Sequence, residues 1–211
     1  MSERRGSSTD MHWGLPLSRA VAAIAVAAAI TFIPNHSAAF GLLAFGIVGV
    51  CWGLVLVGWW IATRAGGSRT GVARAIMVTI GVISLAAGVA ALVVPSGGLA
   101  YLVFLIAAYA AFAGGLEMYL GLRSRRKGAM DASAGDWLFV GGFTVLLAIV
   151  VLVVPPDLAQ GFTGPDGVAR TLTSAVVVVG VFGAYLAVLG VFLTIASLSL
   201  RTDPKSLDVQ S

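Results

Sequence analysis

The sequence predicts an all-α integral membrane protein in which six transmembrane helices form three repeated helical hairpins, with both termini in the cytoplasm. Of the 211 residues, 59% are hydrophobic and 10% are charged, whereas about a quarter of the residues in a soluble domain are charged. The mean hydropathy is +1.00. Apolar stretches of roughly 20 residues, enough to cross a bilayer, alternate with short polar connections. Similar apolar phrases precede Pro34, Pro95 and Pro155, at intervals of 61 and 60 residues.

The first hairpin is predicted over residues 13–62. Residues 1–12 are polar and show no apolar periodicity, so they predict a disordered cytoplasmic tail. The first span, 13–33, ends at Pro34, where the helix-breaking sequence Pro-Asn-His-Ser begins. The second span, 38–62, ends before a segment with arginines and paired glycines, which indicates a loop.

The second and third hairpins are predicted over residues 75–122 and 137–200. In the second, the spans 75–94 and 99–122 flank Pro95, and a basic cluster follows at 123–127. In the third, the spans 137–154 and 171–200 flank a longer connection, 155–170, which contains a Gly-Pro-Asp-Gly turn sequence. Residues 201–211 form the C-terminal cytoplasmic tail. A repeated unit of this length indicates that the same structural element recurs along the chain.

The basic residues predict the orientation of the chain in the membrane. Twelve of the thirteen would lie on the side of the two termini, and Arg170 alone would lie on the proline-turn side. Since positively charged loops stay in the cytoplasm, both termini are predicted to be cytoplasmic. A cleaved signal peptide ending near Ser37, Ala38 and Ala39 is the alternative for the first span. The hairpin repeat argues against it.

The chain resembles the HdeD family of small bacterial membrane proteins. The resemblance rests on the three proline-tipped hairpins, on the phrase Leu-Val-Val-Pro, and on the Gly-rich stretch 114–126 that contains a glutamate and then arginines. It implies a six-helix protein of the bacterial inner membrane, in a family with no established catalytic chemistry whose namesake is linked to acid resistance. The long connection 155–170 departs from a symmetric pattern.

Charged residues within the spans are the first candidates for a functional site, because a charge at the centre of a bilayer costs about 2.5–3.5 kcal/mol on insertion scales. Glu117 lies 22 residues after Pro95 and Arg74 lies 21 before it. Equal distances from a turn predict equal depth, so these two side chains are expected to face each other. The Arg19 side chain either extends to the lipid headgroups or joins Arg74 and Glu117 in an intramembrane charge cluster.

Two interpretations of this cluster, Arg19, Arg74 and Glu117, stay open. In the structural one, the charges anchor the helices at the membrane boundary. In the functional one, Glu117 is a buried protonatable group whose ionisation changes helix packing, or it lines a solute path.

Close helix packing is predicted at Gly49 and Gly53, which form a small-xxx-small pattern. Their role is packing within the bundle or, alternatively, contact in a homo-oligomer. On the outward face the candidates are His36, Asp157, Asp166 and Arg170. His36 is a candidate pH sensor, because histidine changes charge between about pH 5 and 8, and the others are candidates for a polar cap or partner surface.

No catalytic, cofactor-binding or metal site is predicted. The sequence has no P-loop, G-x-S-x-G or H-E-x-x-H motif, and its single cysteine, Cys51, excludes an intrachain disulfide. We therefore expect a non-enzymatic membrane protein that contacts the lipid bilayer and does not bind nucleic acid. Its role would be envelope or acid stress response, or partnership with another membrane protein. The alternatives are a small solute transporter or channel component and an accessory subunit of a larger envelope complex.

Overall fold

A computed structural model of the chain describes residues 10–64, 71–126, 132–163, 167 and 169–202. Within these residues the chain forms six α-helices and one two-stranded sheet. All six helices are long and apolar enough to cross a membrane, which confirms the predicted fold class of a multi-pass helical membrane protein. The elements are α1 (Asp10–Phe32), α2 (Ala38–Arg64), α3 (Val72–Val93), α4 (Gly98–Arg126), α5 (Ala132–Val153), β1 (Ala159–Thr163), β2 (Ala169–Thr173) and α6 (Ser174–Thr202).

Several helices extend further than the apolar pattern predicts. Helix α1 begins at Asp10, three residues before the predicted span, and α4 continues to Arg126, so that Arg123 and Arg125 lie on the helix. Arginine is a good helix former, and a cation near the C-terminus of a helix interacts favourably with the helix dipole. The apolar composition predicts only the part of a helix that lies within lipid, whereas the helix itself continues beyond that part into the polar flanking residues.

The two helices of a proline-tipped hairpin are not the ones that pack most extensively against each other. The helices that pack most closely are α2 with α3, α4 with α5, and α1 with α6. Helices joined by a proline turn, such as α1 and α2, share a smaller contact. The bundle therefore consists of three tight helix pairs, and two of these pairs are joined on the face opposite the proline turns. We call the face that carries the proline turns the proline face, and the other, where α1 begins and α6 ends, the terminal face.

Glycines allow the close approach within these helix pairs. A Cβ atom on Gly49 of α2 would lie 2.9 Å from the Cα of Gly88 in α3, and one on Gly53 would lie 2.7 Å from the backbone nitrogen of Leu85. Between α4 and α5, a Cβ on Gly114 would lie 2.8 Å from the carbonyl oxygen of Gly141. Helix association in lipid depends on such van der Waals contact. The Gly49/Gly53 face is thus occupied by α3 of the same chain.

The connection predicted as a loop over 155–170 contains a β-hairpin. Strands β1 and β2 pair antiparallel, with Gly161 opposite Thr171. The sixth helix consequently begins at Ser174 rather than at Thr171, as the sequence suggested. Threonine favours strands because its branched Cβ suits the pleated backbone, so Thr171 and Thr173 extend the hairpin at the expense of the helix.

Ser174 fastens the base of this hairpin to the end of α5. Its hydroxyl donates to the carbonyl oxygen of Pro155 at 2.7 Å and accepts from the backbone nitrogen of Leu158 at 3.0 Å. Its own backbone nitrogen donates to the carbonyl oxygen of Leu158 at 3.2 Å. Since the residue is 3% exposed, these bonds are largely shielded from water. They fix the direction in which the hairpin leaves the bundle.

The variant Ser174→Ala is expected to loosen the β-hairpin while leaving the bundle intact. It removes the hydroxyl acceptor of the Leu158 nitrogen, which keeps only the longer bond to the carbonyl oxygen of Pro155 at 3.4 Å, so the local cost is that of one hydrogen bond, about 0.5–1.5 kcal/mol. Amide hydrogen exchange should become faster at Leu158 and stay unchanged within α4. Thr31→Ala is the control, because the Thr31 hydroxyl bonds only within its own helix, to the carbonyl oxygen of Ala27. Equal exchange at Leu158 in wild type and Ser174→Ala would contradict this role.

Candidate functional site

A buried ion pair joins α1 to α4. The Nη2 atom of Arg19 donates to Oε1 of Glu117 at 3.1 Å, and the two side chains are 7% and 2% exposed. Arg19 lies nine residues after the start of α1, and Glu117 lies nine residues before the end of α4. At 1.5 Å per residue, each is about 13 Å from its helix end, so the pair lies at one depth inside the bundle.

Arg19 therefore reaches across the bundle to Glu117 rather than out to lipid headgroups. A charged group in the membrane interior is stabilised by a partner of opposite charge, and Glu117 supplies one at the same depth. Helices α1 and α4 otherwise make little contact. The ion pair is thus the principal link between these two helices.

Trp52 of α2 contacts the ion pair, so that the helix pair α2/α3 also reaches it. Its indole Nε1 donates to the backbone oxygen of Arg19 at 3.0 Å. The guanidinium carbon of Arg19 lies 4.9 Å from the centre of the Trp52 ring, within the range of a cation–π interaction. Arg19 belongs to the pair α1/α6, Trp52 to α2/α3 and Glu117 to α4/α5. These three residues form a junction at which all three helix pairs meet.

Further buried polar side chains lie towards the proline face. The hydroxyl groups of Thr144 in α5 and Tyr185 in α6 are 2.9 Å apart, and Thr144 also donates to the carbonyl oxygen of Val140 at 2.7 Å. Ser84 of α3 donates to the carbonyl oxygen of Ile80 at 2.8 Å. Tyr109 of α4 is buried as well, and its ring packs edge-on against Phe45 of α2, with the ring centres 5.8 Å apart.

Together these residues form a polar core to which every helix contributes. We use that name for Arg19, Trp52, Ser84, Tyr109, Glu117, Thr144 and Tyr185. Tyr109 and Tyr185 both lie within electrostatic range of Arg19 and Glu117. Uncharged hydroxyl groups near a buried ion pair provide local dipoles in a medium of low polarity. The helix pairs are thus held internally by glycine contacts and joined to one another by polar and aromatic side chains.

Arg74 does not join this core, contrary to the expectation from its distance to the proline turn. Its guanidinium carbon lies 5.8 Å from the ring centre of Trp59 in α2. The reason is that α3 packs mainly against α2 and less against α4. Equal depth therefore does not bring Arg74 and Glu117 together, and Glu117 pairs with Arg19.

The outward candidates do not converge on one site. His36 donates from Nδ1 to the carbonyl oxygen of Pro34 at 3.1 Å within its own turn. Asp157 is exposed beside the end of α5, and Arg170 lies opposite Phe162 in the β-hairpin. Asp166 lies outside the described residues. Where the structure describes the chain, no group of three His, Cys, Asp or Glu side chains is placed to hold a metal ion.

The sequence did not single out the uncharged members of the polar core, among them Trp52 and Thr144. A signal for Trp52 was present, since the other four tryptophans, Trp13, Trp59, Trp60 and Trp137, fall near predicted membrane boundaries. Trp52 alone lies well inside a span, and a buried indole nitrogen needs a hydrogen-bond acceptor. Thr144 gave no signal, because threonine is common in transmembrane helices and often bonds only to its own backbone.

One protein family matches part of the chain. Residues 79–154, which cover most of α3, all of α4 and α5 and the turn between α3 and α4, match the family described as a short repeat of unknown function (DUF308). No curated protein and no solved structure matches the chain at a significant level. The matched segment contains four members of the polar core, namely Ser84, Tyr109, Glu117 and Thr144.

Proposed function

We propose that the protein is a non-enzymatic, HdeD-like protein of the bacterial cytoplasmic membrane that acts in the response to acid or envelope stress. The single observation that carries this proposal is the buried ion pair between Arg19 and Glu117. The matched repeat family supports it, because that family is associated with HdeD-like membrane proteins. The predicted orientation would place the pair nearer the cytoplasm than the periplasm.

The ion pair offers a direct route from acidity to helix packing. Ionised Glu117 compensates the charge of Arg19, which cannot lose its proton under cellular conditions. Protonation of Glu117 would leave the guanidinium buried without a counter-charge, and this is strongly unfavourable. Within the part of the chain that the structure describes, the other titratable groups near Glu117 are Tyr109 and Tyr185, which are neutral at and below neutral pH. As the pH falls, the junction between α1 and α4 should therefore weaken.

Glu117→Gln tests this mechanism because glutamine has nearly the same shape as protonated glutamate. In lipid nanodiscs, the protection factors of amides in α1 and α4 of the wild type, which correct for the intrinsic pH dependence of exchange, should fall from neutral to acidic pH. In Glu117→Gln these protection factors should already be low at neutral pH and should not fall further. A strain that carries only Glu117→Gln should survive an acid challenge less well than one that carries the wild type.

Asp157→Asn is the matched control, because it removes an exposed carboxylate at the proline face. This variant should keep the pH dependence and acid survival of the wild type. The proposal fails if Glu117→Gln folds, exchanges and supports survival like the wild type at every pH.

A further inference from the structure

A second feature of the bundle is a cavity of about 310 Å³ near the terminal face. Its walls come mainly from α1, α5 and α6. Leu15, Asp136 and Leu200 line the part near the helix ends, whereas Arg19, Val140 and Leu193 line the part eight or nine residues inside those ends. The cavity thus runs inward from the terminal face towards the ion pair. Its volume falls within the range of small-molecule sites, about 300–1,000 Å³.

The charges around this cavity do not cancel. Arg19 is compensated by Glu117, at 3.1 Å. Asp136 is half-buried, and in the described part of the chain the structure places no cation within ion-pair distance of it. A carboxylate in such a position attracts a positively charged group. Among the described residues that line the cavity, the uncompensated charge is therefore negative.

Two further features indicate what kind of cation would fit. The side chains of Trp137 and Phe192 line the cavity together with Asp136, and aromatic side chains near a carboxylate favour organic ammonium groups. At the inner end, the buried Nε of Arg19 has no hydrogen-bond partner in the described residues. A buried donor without a partner is costly, so an acceptor on a bound molecule would stabilise it.

We propose that this cavity binds a small organic cation. Its ammonium group would lie at Asp136, its apolar or aromatic body between α1, α5 and α6, and a hydrogen-bond acceptor at its far end near Arg19. This site goes beyond the proposed acid response and does not depend on it, because the cation contacts Asp136 whether or not Glu117 changes its ionisation.

Tyramine is a suitable probe, because it carries an amine, an aromatic ring and a terminal hydroxyl. Calorimetric titration of the protein in nanodiscs should show saturable binding that empty nanodiscs lack. In Asp136→Asn the dissociation constant should rise at least about tenfold. Asp157→Asn, which removes a carboxylate far from the cavity, should bind like the wild type. Phenethylamine, which lacks the hydroxyl, should bind more weakly than tyramine.

Ala196→Phe gives an independent test, because Ala196 lines the cavity and a larger side chain there would fill it. This variant should lose tyramine binding while its thermal unfolding midpoint stays near that of the wild type. If it fails to fold, Asp136→Asn decides the matter, since a half-exposed position tolerates this change. The proposal is overturned if the wild type shows no saturable binding, if Asp136→Asn binds equally well, or if the anion hydroxyphenylpropionate binds better than tyramine.

Discussion

Glu117→Leu is expected to destabilise the protein by about 3–5 kcal/mol, because it leaves the buried guanidinium of Arg19 without a counter-charge. Arg19→Met should cost less, since the remaining carboxyl group can take up a proton and become neutral whereas a guanidinium cannot lose one. The double variant Arg19→Met/Glu117→Leu should recover most of the lost stability, because replacing both charges with apolar groups removes the desolvation penalty together with the attraction.

The four proteins form a double-mutant cycle in which the coupling free energy isolates the ion pair. The free energy of unfolding can be measured by titration with a denaturing detergent from a lipid-like environment. Arg125→Met is the control, because Arg125 carries the same charge as Arg19 on an exposed position near the end of α4. Its effect should stay within about 1 kcal/mol, as for a surface charge. A double variant no more stable than Glu117→Leu would contradict the assigned pairing.

Gly114→Leu is expected to destabilise the pair α4/α5 by about 3 kcal/mol or more, near the upper end of the range for overpacked cores. A Cβ atom at Gly114 would lie 2.8 Å from the carbonyl oxygen of Gly141 and 2.9 Å from the backbone nitrogen of Val145. These are backbone atoms of α5, so no side-chain rotation can make room. The two helices would have to separate, and separation would also shift Glu117, which lies on α4 less than one turn away.

The neighbouring residue provides the control for this substitution. A Cβ at Gly115 would meet no atom within 4 Å, so Gly115→Leu should not destabilise the protein, and the higher helix propensity of leucine should stabilise it by up to about 1 kcal/mol. The same contrast recurs in α5, where a Cβ at Gly141 would lie 2.5 Å from the backbone nitrogen of Met118 and one at Gly142 would meet nothing. Equal stability of Gly114→Leu and Gly115→Leu would show that α4 and α5 do not pack through this face.

The candidate site was partly predictable because charge is rare within the spans. Arg19 and Glu117 could be singled out from the sequence, since each charge within lipid needs a partner or a route to water. The sequence could not decide whether Glu117 pairs with Arg19 or with Arg74, because the depth of a residue does not determine which helices are neighbours. The uncharged members Ser84, Tyr109 and Tyr185 carry no charge that would distinguish them from the other polar residues of the spans.

The positions of the spans and turns follow from the sequence, because the thickness of the hydrocarbon layer sets the span length and Pro34, Pro95 and Pro155 stop the helices locally. Which helices pair is decided in the tertiary structure. Lipid is as apolar as the helix surfaces, so burial gives no preference for one neighbour, and the fit of glycine faces such as Gly49 against Gly88 selects it. That selection places α4 across the bundle from α1, where Glu117 meets Arg19.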